Sequence, residues 1–333
     1  MKVTLSDVAR HVGTSTSTVS RAISSPERVN AATRERILAA VRELGYVVPI
    51  IPPADAADTH SIGLIVPDIV NPFFPPIIKA VQARANARGR TVLIADTDEH
   101  PQDEMLRAEQ LASRVDGLIV VSPRTPLEHM DRLVSLRPTV LVNRSHGATP
   151  SVVIDDSTGI VEATQHLAAL GHRTICYLNG PKRSWSNAQR QRAVRAAAEA
   201  AGLSLLEFGP FEPQIQAGVR AADLVVASQA TAVIAYDDMI ALGLMTRLNE
   251  RGVAIGEDLS VIGIDDSLFS GMTYPTLTSI HVPGAEAGKT AVDMLLDSLT
   301  AERAASTEDE AVAILDTRLV IRGSTEPPAG TRR

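Results

Sequence analysis

Beyond residue 60 the chain alternates short, almost wholly apolar runs with longer stretches in which apolar residues return every three or four positions. The runs are SIGLIV (61–66), TVLIA (91–95), GLIVV (117–121), TVLV (139–142), TICYL (174–178), TAVIA (231–235) and SVIGI (260–264). The amphipathic stretches are 74–88, 102–114, 158–170, 187–201 and 238–251. A strand that is apolar on both faces must be covered on both, so the alternation predicts βαβ units and parallel sheets flanked by helices. Strand candidates number about ten, which predicts two sheets side by side rather than one wide sheet.

Residues 1–47 keep a different rhythm. A first short helix is expected from about Ser6 through Val8, Ala9 and Val12, stopped by Gly13. A second follows Ser15 with Val19, Ala22 and Ile23 on one face, and a third follows Asn30 with Ile37, Leu38, Val41 and Leu44 inward and Gly45 at its end. Two short helices joined by a tight turn and braced by a third form a helix-turn-helix. Residues 48–60 have neither period and contain Pro49, Pro52 and Pro53 with Asp55 and Asp58, which marks a linker. The expectation is an α/β protein: a headpiece (1–47), a linker (48–60), a core of two parallel sheets (61–323) and a disordered tail (324–333).

Composition sharpens this picture in three ways. Hydrophobic residues make up 44% and charged residues 21% of the 333, so most of the chain should fold. The single cysteine, Cys176, excludes a disulfide framework and a multi-thiolate metal site. MKVTLSDVAR lacks the apolar stretch of a signal peptide and no run approaches a membrane span, so a cytoplasmic location without a membrane partner is expected. Charge is uneven as well. Residues 1–48 hold seven Lys/Arg against four Asp/Glu, leaving 25 against 35 for the rest, so the two parts suit different partners.

Enzymatic chemistry finds little support. Asp-Asp pairs occur at 155–156, 237–238 and 265–266, yet nothing supplies a nucleophile with its base. The eight histidines show no metal-ligand spacing, no GxGxxG follows the first core strand, and no Walker A sequence is present. Neither a cofactor nor a metal is expected.

VTLSDVARHVGTSTSTVSRAISSPERVNAATRERILAAVRELGY resembles the DNA-binding headpiece of the LacI/GalR family of bacterial transcription regulators. Downstream, IGLIVPDIVNPFF, DGLIVV, HLAALGHRTICYLNG, AYDDMIALGLM and SVIGIDDS resemble successive blocks of that family's effector-binding core. The resemblance covers almost the whole chain. It implies a repressor-like homodimer with a two-lobed, periplasmic-binding-protein-like core, a small-molecule effector in the cleft and double-stranded operator DNA on the headpiece.

On that reading Thr16 and Ser17 open the recognition helix, and Arg21 lies on the same face, where it can contact a guanine edge. Thr4, Ser15, Thr18, Ser20, Asn30, Thr33, Arg34 and Tyr46 are the groups placed to hold phosphates. In the core, NPFF (71–74) lies at the carboxyl edge of a parallel sheet, where ligands bind in open α/β structures. Phe73 is a candidate ring for stacking on the effector, or else packs helix against sheet. By the resemblance, Arg190 and Asp265 bind the effector, with Arg192 a rival for the first role, or they form a salt bridge that touches no ligand. Asp68, Asn71, Ser122, Asn143, Trp185 and Tyr236 are further cleft candidates, and Asn143-Arg144 stands where the family more often has Asp-Arg. The effector is expected to be a sugar, a sugar derivative or a nucleobase-like molecule.

Two departures concern assembly and the linker. Family tetramers use a C-terminal heptad helix, which RLVIRGSTEPPAGTRR cannot form, so a dimer is expected. The family's hinge helix places a leucine in the minor groove, but no leucine or basic residue lies between Val47 and Thr59, so that wedge is expected to be missing. The alternative function class is a cytoplasmic solute-binding or sugar-modifying protein with an inert headpiece. Salt-dependent binding to a palindromic duplex separates the two.

Overall fold

The computed structural model describes residues 5–16, 18, 19, 22, 29–44, 59–301 and 312–329. Thr4, Ser17, Ser20, Arg21, Tyr46, linker residues 48–58 and the last residues 330–333 lie outside them. The chain divides into two compact units, Met1–Thr59 and His60–Arg333.

In the first unit, helix Leu5–Val12 ends at Gly13, whose φ of 72° is the left-handed conformation that closes a helix. Thr16, Thr18, Val19 and Ala22 are helical, and a further helix covers Ala31–Leu44. Val8, Ala9, Val12, Val19, Ala22, Ile37 and Ala40 form one buried cluster, with Val29 and Leu44 packed against it. The Arg36 guanidinium donates to the Val12 carbonyl at 3.1 Å, tying the last helix to the end of the first.

The second unit holds two six-stranded sheets. Strands β1 (Ser61–Val66), β2 (Thr91–Asp96), β3 (Gly117–Val121), β4 (Thr139–Val142) and β5 (Ser151–Asp155) lie in the first. The second contains β6 (Thr174–Leu178), β7 (Ser204–Phe208), β8 (Ala232–Ala235), β9 (Ser260–Asp265) and β10 (Thr278–His281). Of the last two, β11 (Val312–Asp316) joins the first sheet and β12 (Arg318–Val320) the second. The orders are β11-β5-β4-β3-β1-β2 and β12-β10-β9-β8-β6-β7, parallel throughout except where β12 meets β10. Central strands β3, β4 and β8 are buried along their whole length, as apolar strands covered on both faces must be.

Helices Phe74–Ala87 and Gly284–Ala301 cover one face of the first sheet, helices Pro101–Ala112 and Leu127–Val134 the other. In the second lobe, helices Ser157–Leu170 and Trp185–Ala200 lie over one face, helices Ile215–Val226 and Asp238–Glu250 over the other. The chain passes between lobes after β5, after β10 and at Thr317, whose hydroxyl donates to the Asp155 carbonyl at 3.0 Å and accepts from the Gly159 amide at 3.2 Å.

The tail departs from the sequence expectation. Residues 324–329 are part of the fold rather than disordered: Ser324 is fully buried and Thr325 nearly so. The Val261 amide donates to the Ser324 carbonyl at 2.9 Å, the Thr278 amide to the Ser324 hydroxyl at 2.8 Å, and the Glu326 amide to the Ser260 hydroxyl at 3.1 Å. Hydroxyls and backbone groups hold this segment against β9 and β10, and such pairing leaves no hydrophobic period to read.

Candidate functional site

In the headpiece, Ser15 caps the second helix: its hydroxyl accepts from the Thr18 amide at 3.2 Å and lies 2.8 Å from the Thr18 hydroxyl. Thr16 is exposed at the start of that helix. Asn30 and Arg34 are exposed and Thr33 is half-buried, with the Arg34 amide donating to the Asn30 carbonyl at 2.9 Å.

In the core, the carboxyl ends of the strands of both sheets converge on one cleft of about 310 Å³. Seven sequence-predicted residues line it: Asn71, Phe73, Ser122, Asn143, Arg190, Tyr236 and Asp265. Asp68 and Trp185 do not. Asp68 accepts from the Val70 amide at 2.7 Å within its own loop, and Trp185 starts the helix that carries Arg190. Arg192 is on the exposed side of that helix, bonded to Ala188 and Gln189, so it is no rival to Arg190. Ser122, Asn143 and Asp265 have φ values of 44°, 58° and 118°, strained for residues with side chains. Each follows or ends a strand, and such strain collects where a ligand must be met.

Arg190 is 3% exposed and organises the cleft. Its Nε donates to Asp156 at 2.7 Å, its Nη1 to the Tyr236 carbonyl at 2.6 Å, and its guanidinium lies 5.0 Å from the Tyr236 ring centre. Asp265, the expected partner, is at 3.7 Å, beyond hydrogen-bond range. Burial opposes the Arg190 charge, but the carboxylates of Asp156 and Asp265 outweigh it and the group stays protonated. Burial raises the Asp265 carboxyl well above the usual range despite Arg190, and pushes Asp237 up to about 7 against the amide of Ile240, which donates to it.

Asp156, Asp237, Glu99 and Arg124 escaped the sequence reading. A usable signal existed: all three Asp-Asp pairs lie at or just past strand ends, placing Asp237 and Asp265 in the cleft lining and Asp156 on Arg190. The second acid of the central pair, Asp238, turns inward and accepts from the Ser267 amide (2.7 Å), Ser270 (2.6 Å) and Ser279 (2.7 Å), which fixes the loop after Asp265. Glu99 and Arg124 form a paired interaction across the first lobe's loops, with Arg124 Nη2 donating at 2.9 Å. Tyr236 is held by Ser184 (3.0 Å) and Ser186 (3.1 Å) through its hydroxyl.

The orphan side-chain atoms beside Arg190 and in the cleft lining are oxygens. Asn143 Oδ1, Asp156 Oδ1 and Asp237 Oδ2 are buried acceptors with no protein donor. Phe73, edge-on to Phe74 with ring centres 4.9 Å apart, adds an apolar surface. Such a cleft favours a small molecule rich in hydroxyl or amino donors.

No His/Cys/Asp/Glu cluster suited to a metal, and no helix long and apolar enough to cross a membrane, occurs among the described residues. Comparison with known proteins places these features in context. Residues 4–48 match the model for bacterial regulatory proteins of the lacI family, and residues 164–325 match the periplasmic binding protein-like domain. The transcriptional repressor CytR of Escherichia coli is 32% identical over 97% of this chain and 96% of its own. A LacI family regulator from Enterococcus faecium with bound ribose superposes with a TM-score of 0.70 at 28% identity, over 80% of this chain and 99% of that one. The lac repressor dimer bound to operator and the anti-inducer ONPF gives 0.71 at 27% identity, over 98% and 100%. With a helix-turn-helix matching one family model, two parallel-sheet lobes around a polar cleft, and a repressor alike from end to end, the chain belongs to the lacI family, as a ligand-responsive DNA-binding transcription regulator and not an enzyme.

Proposed function

We propose that a small donor-rich molecule, a sugar or sugar derivative, binds between the lobes against Asn71, Phe73, Ser122, Asn143, Arg190, Tyr236 and Asp265, and that its occupancy sets the affinity of the headpiece for a palindromic operator. The observation that carries this is the pair of buried, donorless acceptors in the cleft lining, Asn143 Oδ1 and Asp237 Oδ2, together with Arg190, whose partner Asp156 keeps a third donorless oxygen. The ribose-bound and operator-bound relatives support the same division of labour. The effector acts by preferring one lobe arrangement over another, since only differential affinity shifts a population. Residues 1–47 serve as the DNA-binding unit and 48–60 as the connection, and the effector core runs on through 329. The protein works in the cytoplasm, where its operator lies.

In the headpiece, Arg21 with Thr16 and Ser17 reads bases. Thr4, Ser15, Thr18, Ser20, Asn30, Thr33, Arg34 and Tyr46 fix register on phosphates. A thermal-shift screen of sugars, sugar phosphates, nucleosides and purines finds the effector, because a ligand at ~100 Kd adds ~2.7 kcal/mol. Operator binding by fluorescence anisotropy then responds to the hit in the wild type and not in Asp265→Asn. An unaltered response in that variant refutes the site.

A further inference from the structure

The effector cleft is not the largest space between the lobes. Past Arg124, whose side chain borders both, a second basin of about 590 Å³ opens. Arg124 and Arg144 line it from the first lobe, and Arg183, from the loop after β6, lines it from the second. We infer that this basin is a binding site for an oxyanion, a phosphate or phosphate-like group, held between Arg144 and Arg183. The inference concerns a site next to the proposed effector cleft and stands or falls separately from it.

Arg124 is spent on Glu99 and on the Ser122 carbonyl, which its Nη1 meets at 3.0 Å. Glu104, the buried acid whose charge acts on Arg144, is also occupied, accepting from the amides of Arg124 (2.8 Å) and Thr125 (2.9 Å). Arg144 is different. Only 6% exposed, it directs Nη1 at the carbonyls of Pro123 (2.9 Å) and Thr125 (3.0 Å), and its Nε has no partner. Burial and the neighbouring Arg124 charge both press its pKa down, against the opposing pull of Glu104, a cost that an anion would relieve. Arg183 is exposed and, among the described residues, makes no hydrogen bond or ion pair. Glu128 is the single acid in the lining, against three guanidiniums.

The first cleft is thus rich in unsatisfied acceptors and the second in unsatisfied donors, with Arg124 between them. Because Arg144 and Arg183 belong to opposite lobes, an oxyanion bridging them would couple its binding to lobe closure. The group can arrive as the anionic end of the effector or as a separate ion.

Calorimetry and thermal shift on the full chain test this with inorganic phosphate, against sodium chloride at matched ionic strength, and with ribose against ribose 5-phosphate. Wild type should be stabilised by phosphate beyond chloride, and Arg183→Ala, a surface change that leaves the fold intact, should weaken phosphate at least tenfold. Arg144→Gln should do the same, while Arg220→Ala on an exposed helix face keeps wild-type affinity. A preference for ribose 5-phosphate over ribose that vanishes in Arg183→Ala assigns the anion to the effector. Phosphate binding without that preference assigns it to a separate ion. Phosphate no better than chloride, or equally bound by Arg183→Ala, overturns the inference, and neither result bears on whether uncharged ligands reach the cleft beside Asp265.

Discussion

Replacing Arg190 with methionine tests whether this guanidinium is the electrostatic keystone of the core. Methionine keeps much of the packing volume and removes the charge. Left behind are Asp156, which loses its 2.7 Å partner, Asp265 at 3.7 Å, and Asp237, whose carboxyl Arg190 helps hold down. Breaking a buried ion pair from one side costs about 3–5 kcal/mol, because the remaining charge is stranded. That is a large share of a typical total of about 5–15 kcal/mol, so the variant should fold yet unfold early. Urea unfolding followed by the fluorescence of Trp185, the only tryptophan and the first residue of the same helix, reads the loss. With m near 3 kcal/mol/M, the midpoint should fall by roughly 1–2 M.

The pH dependence supplies a second check on the same variant. A carboxyl raised in the folded state keeps a proton that the unfolded chain releases, so the stability it adds is full below the ordinary carboxyl range and disappears as pH rises through the folded value. Asp237 already sits at about 7 and Asp265 well above its usual range, and removing the guanidinium lifts both further. The deficit of Arg190→Met should therefore be smaller at pH 5 than at pH 8. Adding Asp156→Asn should recover more than 1 kcal/mol relative to additivity. A loss under about 1 kcal/mol, a deficit indifferent to pH, or additive single mutants would show that Arg190 does not hold these carboxylates.

Further outcomes follow from other residues. Arg21→Ala should cost ~1–3 kcal/mol at one base pair per half-site, whereas Arg34→Ala should weaken all sequences evenly; equal losses on operator and random DNA for Arg21→Ala would contradict the assignment. Gly180→Ala would put a Cβ 2.4 Å from the Tyr236 ring, costing ~1–3 kcal/mol and displacing that ring; unchanged stability and ligand affinity would mean the ring has room to move. Burial lowers the pKa of His172, which bonds Thr231 at 2.8 Å and the Glu326 carbonyl at 3.1 Å. Its stabilisation is whole above the unfolded value near 6.5 and is lost as pH falls towards the folded one, so His172→Gln should flatten the acid limb of Tm against pH. Ile50→Ala with Ile51→Ala should change operator affinity by under about 1 kcal/mol, and a strong operator bend in circular-permutation gel shifts, abolished by that pair, would reveal an intercalating hinge.

Much of the architecture is legible in the chain because it is dictated by local periods. Seven apolar runs became strands, and five amphipathic stretches became helices, since two-faced burial and a 3.6-residue period are written in adjacent residues. Edge strands were harder to see. β7 (SLLEF) is only half-buried, and β11 (VAILD) alternates exposed and half-buried, so neither shows the continuous apolar run of a central strand. Helix Gly284–Ala301 lies late in the chain yet packs on the first lobe, a placement that depends on the crossing after β10 and not on any local pattern.

At the site, the carboxyl edge of the first strand pointed to Asn71 and Phe73, because in a parallel sheet the carboxyl ends share one edge, while Ser122, Asn143, Arg190, Tyr236 and Asp265 were implied by the family resemblance; all seven line the cleft. Sequence could not choose partners. That Arg190 bonds Asp156 rather than Asp265, that Asp238 turns inward while Asp237 faces the cleft, and that Arg144 and Arg183 line one basin from opposite lobes depend on ångström separations between distant segments. The same holds for Ser324 and Thr325, whose polar composition reads as tail until β9 and β10 supply their hydrogen-bond partners. Periodicity is a property of neighbours in sequence, whereas charge pairing and desolvation are properties of neighbours in space, and only the folded chain sets the latter.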